Sequence, residues 1–329
     1  MRNNRVSLLA LMSAGLLWGT TVPLTKLALG WLGPGWLTVA RFALAAVLLA
    51  WPVRHKLRAA VSPATIGWGA FGYGVVIVAQ NAGIARTSVS HAALLVGATP
   101  ILVALMSVAL RRSVVGPVSW AGFAVALGGV GLIAADGGGG ATLAGDGLVV
   151  ASLLLAAGFV VAQPAMLAGR DPVAVTAVQF GAAAVASLPA AAFLDPMPGT
   201  PAGWLPVLAV AGLVIGGTLA PFTLFAYGQA RVAPEVAGAF LNLEPVVGAA
   251  AGTLAFGDPV GVTQLLGGVA VLAGIALTAI PFLRRSPSLA RAPRPSGRRL
   301  PSSLRSSVQT PPASGPAPEE VGNLSTARG

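Results

Sequence analysis

One carboxylate, Glu244, stands near the middle of a largely apolar run from Ala233 to Phe256. About 24 residues of helix are long enough to cross a hydrocarbon core of roughly 30 Å. An ionisable group at mid-membrane costs about 2.5–3.5 kcal/mol even on a lenient scale, so a chain that keeps one buries it against partners or a water-filled cavity. Three chemistries are open to Glu244: a structural ion pair with Arg41 or Lys26, binding of a substrate's amino group, or uptake and release of a proton during transport. Lys26 and Arg41 lie one or two turns inside the ends of their own apolar runs. Lys26 is long enough to snorkel to the interface. Arg41 has more hydrogen bonds to satisfy and is expected to face the interior, with Gln179 as its counterpart in the other half of the chain.

Further polar side chains interrupt the apolar runs, and together they suggest the lining of a substrate site: Trp18, Tyr73, Gln80, Asn81, Thr99, Gln163, Thr218, Asn242 and Glu244. Aromatic faces with a few convergent polar groups suit a small organic solute. Prolines fall inside the same runs, at Pro23, Pro100, Pro164, Pro221 and Pro245. Each frees a backbone carbonyl and kinks its helix, and Pro100 and Pro245 are expected to be hinges because they recur at equivalent places. Other chemistries lack their residues. There is no cysteine, which excludes disulfides, thiolate metal sites and cysteine nucleophiles. His55 and His91 have no partner visible in the sequence, and no phosphate-binding Gly-Lys-Ser/Thr loop occurs. We therefore expect no enzyme, no metal and no cofactor.

The elements that hold these residues follow from composition. Of 329 residues, 55% are hydrophobic and 9% charged, against about 25% charged in soluble domains, and the mean hydropathy is +0.82. The fold class is an all-α polytopic membrane protein. Apolar spans lie near 7–29, 35–53, 64–85, 88–110 and 116–134, then 147–168, 173–194, 204–229, 233–256 and 261–283. Their lengths give ten transmembrane helices, since bilayer strands would be nearer ten residues. Arg2 and Arg5 before Val6–Leu17 resemble a signal peptide, but the apolar pattern continues to Leu29 without a processing site, so a retained first helix is expected. The net charge of +11 sits in loops and tail, not on a folded basic domain, and argues against nucleic acid as a partner. Arg54, Lys56, Arg58, Arg111, Arg112, Arg170 and Arg231 fall in loops on one side, and Asp136, Asp146, Asp195 and Asp258 on the other, with Arg86 against the trend. The positive-inside rule then puts both termini in the cytoplasm. Six of the seven tryptophans fall near span ends, and Trp18 lies mid-span. Residues 136–146 read as a Gly-rich connecting loop. Residues 284–329 read as a disordered, basic Pro/Ser-rich cytoplasmic tail.

Shifting Ala85–Ile133 by 145 positions lays it on Ala230–Thr278, with Arg86 on Arg231, Pro100 on Pro245, and Gly116, Gly122 and Gly129 on Gly261, Gly267 and Gly274. A shift of 138 lays Pro34, Thr38, Arg41 and Phe42 on Pro172, Thr176, Gln179 and Phe180. The chain reads as two five-helix repeats, 1–135 and 147–283. Five is odd, so the repeats are inverted. The Gly248-xxx-Gly252 face, and Gly122, Gly129, Gly267 and Gly274 on the fifth and tenth spans, permit close packing within the chain or across a homodimer.

In order and spacing these residues resemble the EamA-type branch of the drug/metabolite transporter superfamily. The likeness is carried by Trp18-Gly19-Thr20-Thr21 with Lys26, by Ala40-Arg41-Phe42, and by Gly83-Ile84-Ala85 through Ala92-Ala93-Leu94-Leu95 to Pro100. It continues through Trp120-Ala121-Gly122, Gly128-Gly129-Val130-Gly131, Tyr227-Gly228-Gln229-Ala230, Glu244-Pro245 and Gly267-Gly268. Arg111-Arg112-Ser113 departs from the family's Gly-Glu after the fourth helix, which Gly257-Asp258 keeps in the second half. The resemblance implies a secondary transporter of the inner membrane, exporting small metabolites such as amino acids, related compounds or drugs by alternating access. Its partners would be that solute, the lipid bilayer and protons as a coupling ion. A channel or a non-transporting scaffold is the alternative, with a membrane enzyme a distant third, and carrier saturation and counterflow separate them.

Overall fold

The computed structural model describes residues 2–110, 116–135, 140–229, 240 and 243–285. With no strand among them, the described residues form loops, one short helix, Leu57–Ala60, and ten helical rods. We number these α1 (Arg2–Gly19, resumed at Thr21–Ala28), α2 (Pro34–Val53), α3 (Pro63–Gly69, a π-helical turn Ala70–Val75, then Val76–Ala85), α4 (Val89–Val96, then Thr99–Ala109) and α5 (Pro117–Ala135). The second half gives α6 (Leu143–Leu167), α7 (Pro172–Leu194), α8 (Trp204–Val214, a π-helical turn Ile215–Leu219, then Ala220–Gln229), α9 (Leu243–Phe256) and α10 (Val262–Arg285). Six stretches, in α1, α2, α4, α6, α7 and α8, are long and apolar enough to cross a membrane. The outward faces are apolar too: Trp51 is 73% exposed, Phe193 85% and Leu254 86%. The chain is a multi-pass membrane protein. Its hydrophobic surface faces lipid, and its helical backbone satisfies itself within each rod.

The joint between the halves is shorter than the sequence suggested. Residues 136–139 lie outside the described residues, and α6 already begins at Leu143, inside the expected 136–146 loop. Thr142 caps it by accepting the Gly145 N–H. The neighbouring Asp146 is buried at 1% exposure, not held out in a loop. Of the basic tail expected at 284–329, only Arg284 and Arg285 belong to the described residues, as the end of α10.

Helix neighbours obey a two-fold relation between the halves. Among the extensive pairs are α5 with α10, α2 with α7, α3 with α6, α1 with α8, and α4 with α9. Exchanging each rod for the one five places along the chain turns the α1–α8 pair into α3–α6 and returns the other three pairs to themselves. This is the pattern of two repeats about a common axis, inverted because each has an odd number of rods.

Glycines set how close these pairs come. A Cβ on Gly129 would meet Gly267 O at 2.6 Å, one on Gly267 would meet Ile133 Cγ1 at 2.7 Å, and one on Gly274 would meet Ala126 Cβ at 2.5 Å. These three glycines serve the α5–α10 contact inside one chain. Gly248 and Gly252 of α9 lie against Ala93 and Ser90 of α4 in the same way.

The rod ends are tied across the halves. Asp195, at the end of α7, accepts the Gly35 and Trp36 N–H groups that open α2, at 2.7 and 3.0 Å. Asp258, after α9, accepts the Ser90 N–H at the start of α4, at 2.8 Å. At the other end of the bundle Asp171 caps α7 through the Val173 and Ala174 N–H groups and accepts from Lys56 Nζ at 2.6 Å. The Lys56 ammonium, helped by the Ala174 N–H, holds the Asp171 carboxyl below its ordinary range.

Two stability predictions follow from these contacts. Gly267→Ala puts a methyl against backbone and costs about 1–3 kcal/mol, whereas Gly128→Ala, whose Cβ meets nothing within 4 Å, is neutral or stabilising. Thermal unfolding in detergent compares them. Because the folded carboxyl is depressed, the Asp171 contribution is complete above its ordinary value near ~4 and is lost as pH falls through the folded value. The melting-temperature gap between wild type and Asp171→Asn is therefore constant at neutral pH and closes in acid. It corresponds to no more than about 1 kcal/mol, because the pair is partly exposed.

Candidate substrate site

Irregular backbone lies at matching places in the two halves. The π-helical turns of α3 and α8 begin at residues 70 and 215, the same 145-position shift that relates the prolines. Each widens its helix by a residue and turns a side chain inward, a distortion common at functional sites. Under that shift Tyr73 corresponds to Thr218, and Thr99 to Glu244. All four line one cavity.

The cavity holds about 590 Å³, room for a small organic solute. Trp18 lines one wall and packs edge-on to Phe222, their ring centres 5.3 Å apart. Phe42, Tyr73 and Phe180 form a second aromatic group with centre separations of 4.9–5.6 Å. Gln80 and Asn81 come from α3, and Asn81 Nδ2 donates to Thr38 Oγ1 at 3.1 Å. Arg41, from α2, donates Nε–H to Thr218 Oγ1 at 2.9 Å and Nη2–H to the Gly217 carbonyl at 3.3 Å. Glu244 reaches the wall from the first turn of α9. Among the described residues no ion pair joins it to Arg41 or Lys26.

Seven of the nine expected lining residues meet in this cavity: Trp18, Tyr73, Gln80, Asn81, Thr99, Thr218 and Glu244. Gln163 does not. It exchanges hydrogen bonds with Gln179 at 3.0 and 2.9 Å, so each amide satisfies the other and Gln163 is not on the wall. Asn242 lies outside the described residues. Of the expected hinges, Pro100 lies in the first turn of the second segment of α4, just after Gly97–Ala98, and Pro245 is the third residue of α9, directly after residues 241–242, which lie outside the described ones. Sequence reasoning missed Thr21, Thr25 and the aromatic residues Phe42, Phe180 and Phe222 on the wall. Their inward direction depends on helix rotation, although Phe42 and Phe180 were already visible as a repeat pair.

Lys26 does not face the cavity. Its ammonium donates to the carbonyls of Ile84, Ala85 and Thr87 at 2.9, 3.2 and 2.6 Å, capping the end of α3. Beside it a buried cluster closes that end of the bundle. His91 Nδ1 lies 3.1 Å from Asp146 Oδ2, and the Thr87 hydroxyl donates to Asp146 Oδ1. His91 thus has a partner that sequence distance hid. With Asp146, Asp171, Asp195 and Asp258 all engaged at helix ends, Glu244 is the carboxylate left uncommitted among the described residues.

Comparison with known proteins is consistent with this arrangement. Residues 5–135 and 143–280 match the model of a family described as the EamA-like transporter family, one match on each half. A solved structure described as "Crystal structure of protein" is 22% identical, with a TM-score of 0.61 over 84% of this chain and 98% of that one. At that identity the likeness concerns the fold. Comparison with curated proteins returned no match.

The role of Lys26 has a direct check. Lys26→Met leaves three carbonyls without their donor and lowers stability by about 1.5–3 kcal/mol, read as a lower melting temperature in detergent. An unchanged melting temperature would show that water replaces the ammonium at no cost.

Proposed function

The chain belongs to the EamA-like transporter family, and from that premise we propose that it is a secondary carrier exporting a small organic metabolite, an amino acid or a related compound, by alternating access. The observation that carries this reading is the cavity itself. It lies where both repeats meet, is walled by aromatic rings, and places a guanidinium and a carboxylate on one surface. Transporters built from inverted repeats bind substrate at interrupted helices between their halves. Here those interruptions are the two π-helical turns and the break in α4.

Export is what the resemblance to the EamA-type branch implies, and the loop charges are expected to place both termini in the cytoplasm, in the cell membrane. The end of the bundle carrying Lys26, Asp146 and Asp258 is then the outer one. Its polar ties between the halves must shift for the solute to leave, while the paired π-helical turns give α3 and α8 a place to bend. Glycine contacts between α4 and α9 let these rods slide without large side chains interlocking. Glu244 serves either the ammonium of the substrate or a coupling proton, because it has no competing partner among the described residues.

The test uses purified protein in liposomes loaded with amino acids, nucleosides and drug-like cations, with and without an inward proton gradient. Protein-dependent loss of one class, saturating with concentration and showing counterflow, is the expected result. Linear flux without counterflow would make the protein a channel, and no flux from folded protein would refute transport of these classes. Glu244→Gln then assigns the carboxylate. A proton carrier keeps substrate exchange but loses its response to the gradient, whereas an ammonium contact loses exchange itself.

A further inference from the structure

Arg41 is the cation on the cavity wall. It comes from α2, in an apolar segment, where a charge is costly unless paired or solvated. Two neutral acceptors hold it. Nε–H points to Thr218 Oγ1 and one Nη2–H to the Gly217 carbonyl, both in the π-helical turn of α8. Thr218 is itself fixed, because its hydroxyl donates to the Leu213 carbonyl at 2.8 Å. The guanidinium carbon also lies 5.4 Å from the centre of the Phe42 ring. These contacts orient the group without neutralising it. Among the described residues no carboxylate lies within ion-pair distance of Arg41, and the four engaged aspartates are committed elsewhere. Among the described residues, the two N–H groups on Nη1 and the second on Nη2 have no hydrogen-bond acceptor, on the edge that Thr218 does not occupy. A guanidinium fork with an open edge matches the geometry of a compact oxyanion, which it binds through two parallel hydrogen bonds.

We propose that Arg41 is the substrate's anion contact, so that the transported solute carries a compact oxyanion, a carboxylate or a phosphate monoester. Thr218 is the positioning residue that aims the fork. This rests on the transport reading and narrows it, since neutral solutes and simple cations would leave the guanidinium unpaired. The chemistry also explains why the two π-helical turns differ in sequence. In α3 the equivalent position is Tyr73, whose ring packs with Phe42 and Phe180. In α8 it is Thr218, small enough to let Arg41 pass and polar enough to hold it.

The experiment compares matched solutes in counterflow on the full-length protein in liposomes: amino acids against their amides, and sugar phosphates against the parent sugars. The amino-acid arm and the phosphate arm separate the two sources of oxyanion. The expected result is at least a tenfold preference for the acid member of one pair. Arg41→Gln should lose tenfold or more of that exchange, Arg41→Lys should retain part of it, and Thr218→Val should raise KM more than it lowers kcat. Equal exchange of acid and amide by wild type, or unchanged KM in a folded Arg41→Gln, would overturn the proposal while leaving transport standing. If wild type exchanges nothing, transport of these solutes fails and the anion contact is judged by binding. A larger rise in melting temperature with the acid than with the amide, lost in Arg41→Gln, would sustain it, and equal shifts would overturn it.

Discussion

Every backbone group in a membrane-embedded bundle must find its partner inside the protein, and helix ends are where partners run out. This chain meets that constraint with its scarce charges. Asp195 and Asp258 satisfy the opening N–H groups of α2 and α4, Asp171 does so for α7, and Lys26 satisfies the closing carbonyls of α3. In three of these four cases the charged side chain belongs to a different rod from the end it caps. Capping therefore also fixes which rods are neighbours. It ties the α2–α7 and α4–α9 pairs across the halves, and those pairs lie on the two-fold relation that organises the bundle.

The same relation explains how a nearly symmetric frame gives an asymmetric site. Repeat-equivalent positions present Tyr73 opposite Thr218 and Thr99 opposite Glu244. Backbone geometry is conserved between the halves, as the matching π-helical turns show, while the side chains have diverged into an aromatic member and a polar one, a hydroxyl and a carboxylate. A solute between the halves meets different chemistry on each side. In the proposed alternating-access cycle the two halves would exchange roles while the solute kept one preferred orientation.

Much of this was legible in the sequence because it depends on residue type and spacing alone. Span lengths, the 145-position repeat and the packing glycines need no knowledge of how a helix is rotated. The cavity lining was legible in large part for a related reason: a polar side chain in an apolar span must face inward, as Tyr73, Asn81 and Thr218 do. Gln163 shows the limit of that rule. It also faces protein, but Gln179 completes its hydrogen bonds, and a pair formed between two helices cannot be read from either helix alone. The His91–Asp146 pair was hidden similarly, because Asp146 looked like a loop residue until α6 was seen to begin at Leu143. The π-helical turns left no compositional mark that separates them from ordinary glycine-containing helix.

Lys26 and Arg41 looked alike in the sequence, two cations just inside the ends of their spans, and they meet different fates. Lys26 has a flexible stem and three donors that can diverge, so one ammonium serves three carbonyls around a helix end. Arg41 has a planar fork whose donors cannot spread over such a target. Two of its donors find acceptors in the widened turn of α8, and the rest have none among the described residues, on a residue that lines the cavity. A group that can be fully satisfied by backbone closes structure, whereas a group whose shape prevents this leaves a directed demand in the cavity wall. The rigidity of the guanidinium, rather than its charge, separates the two.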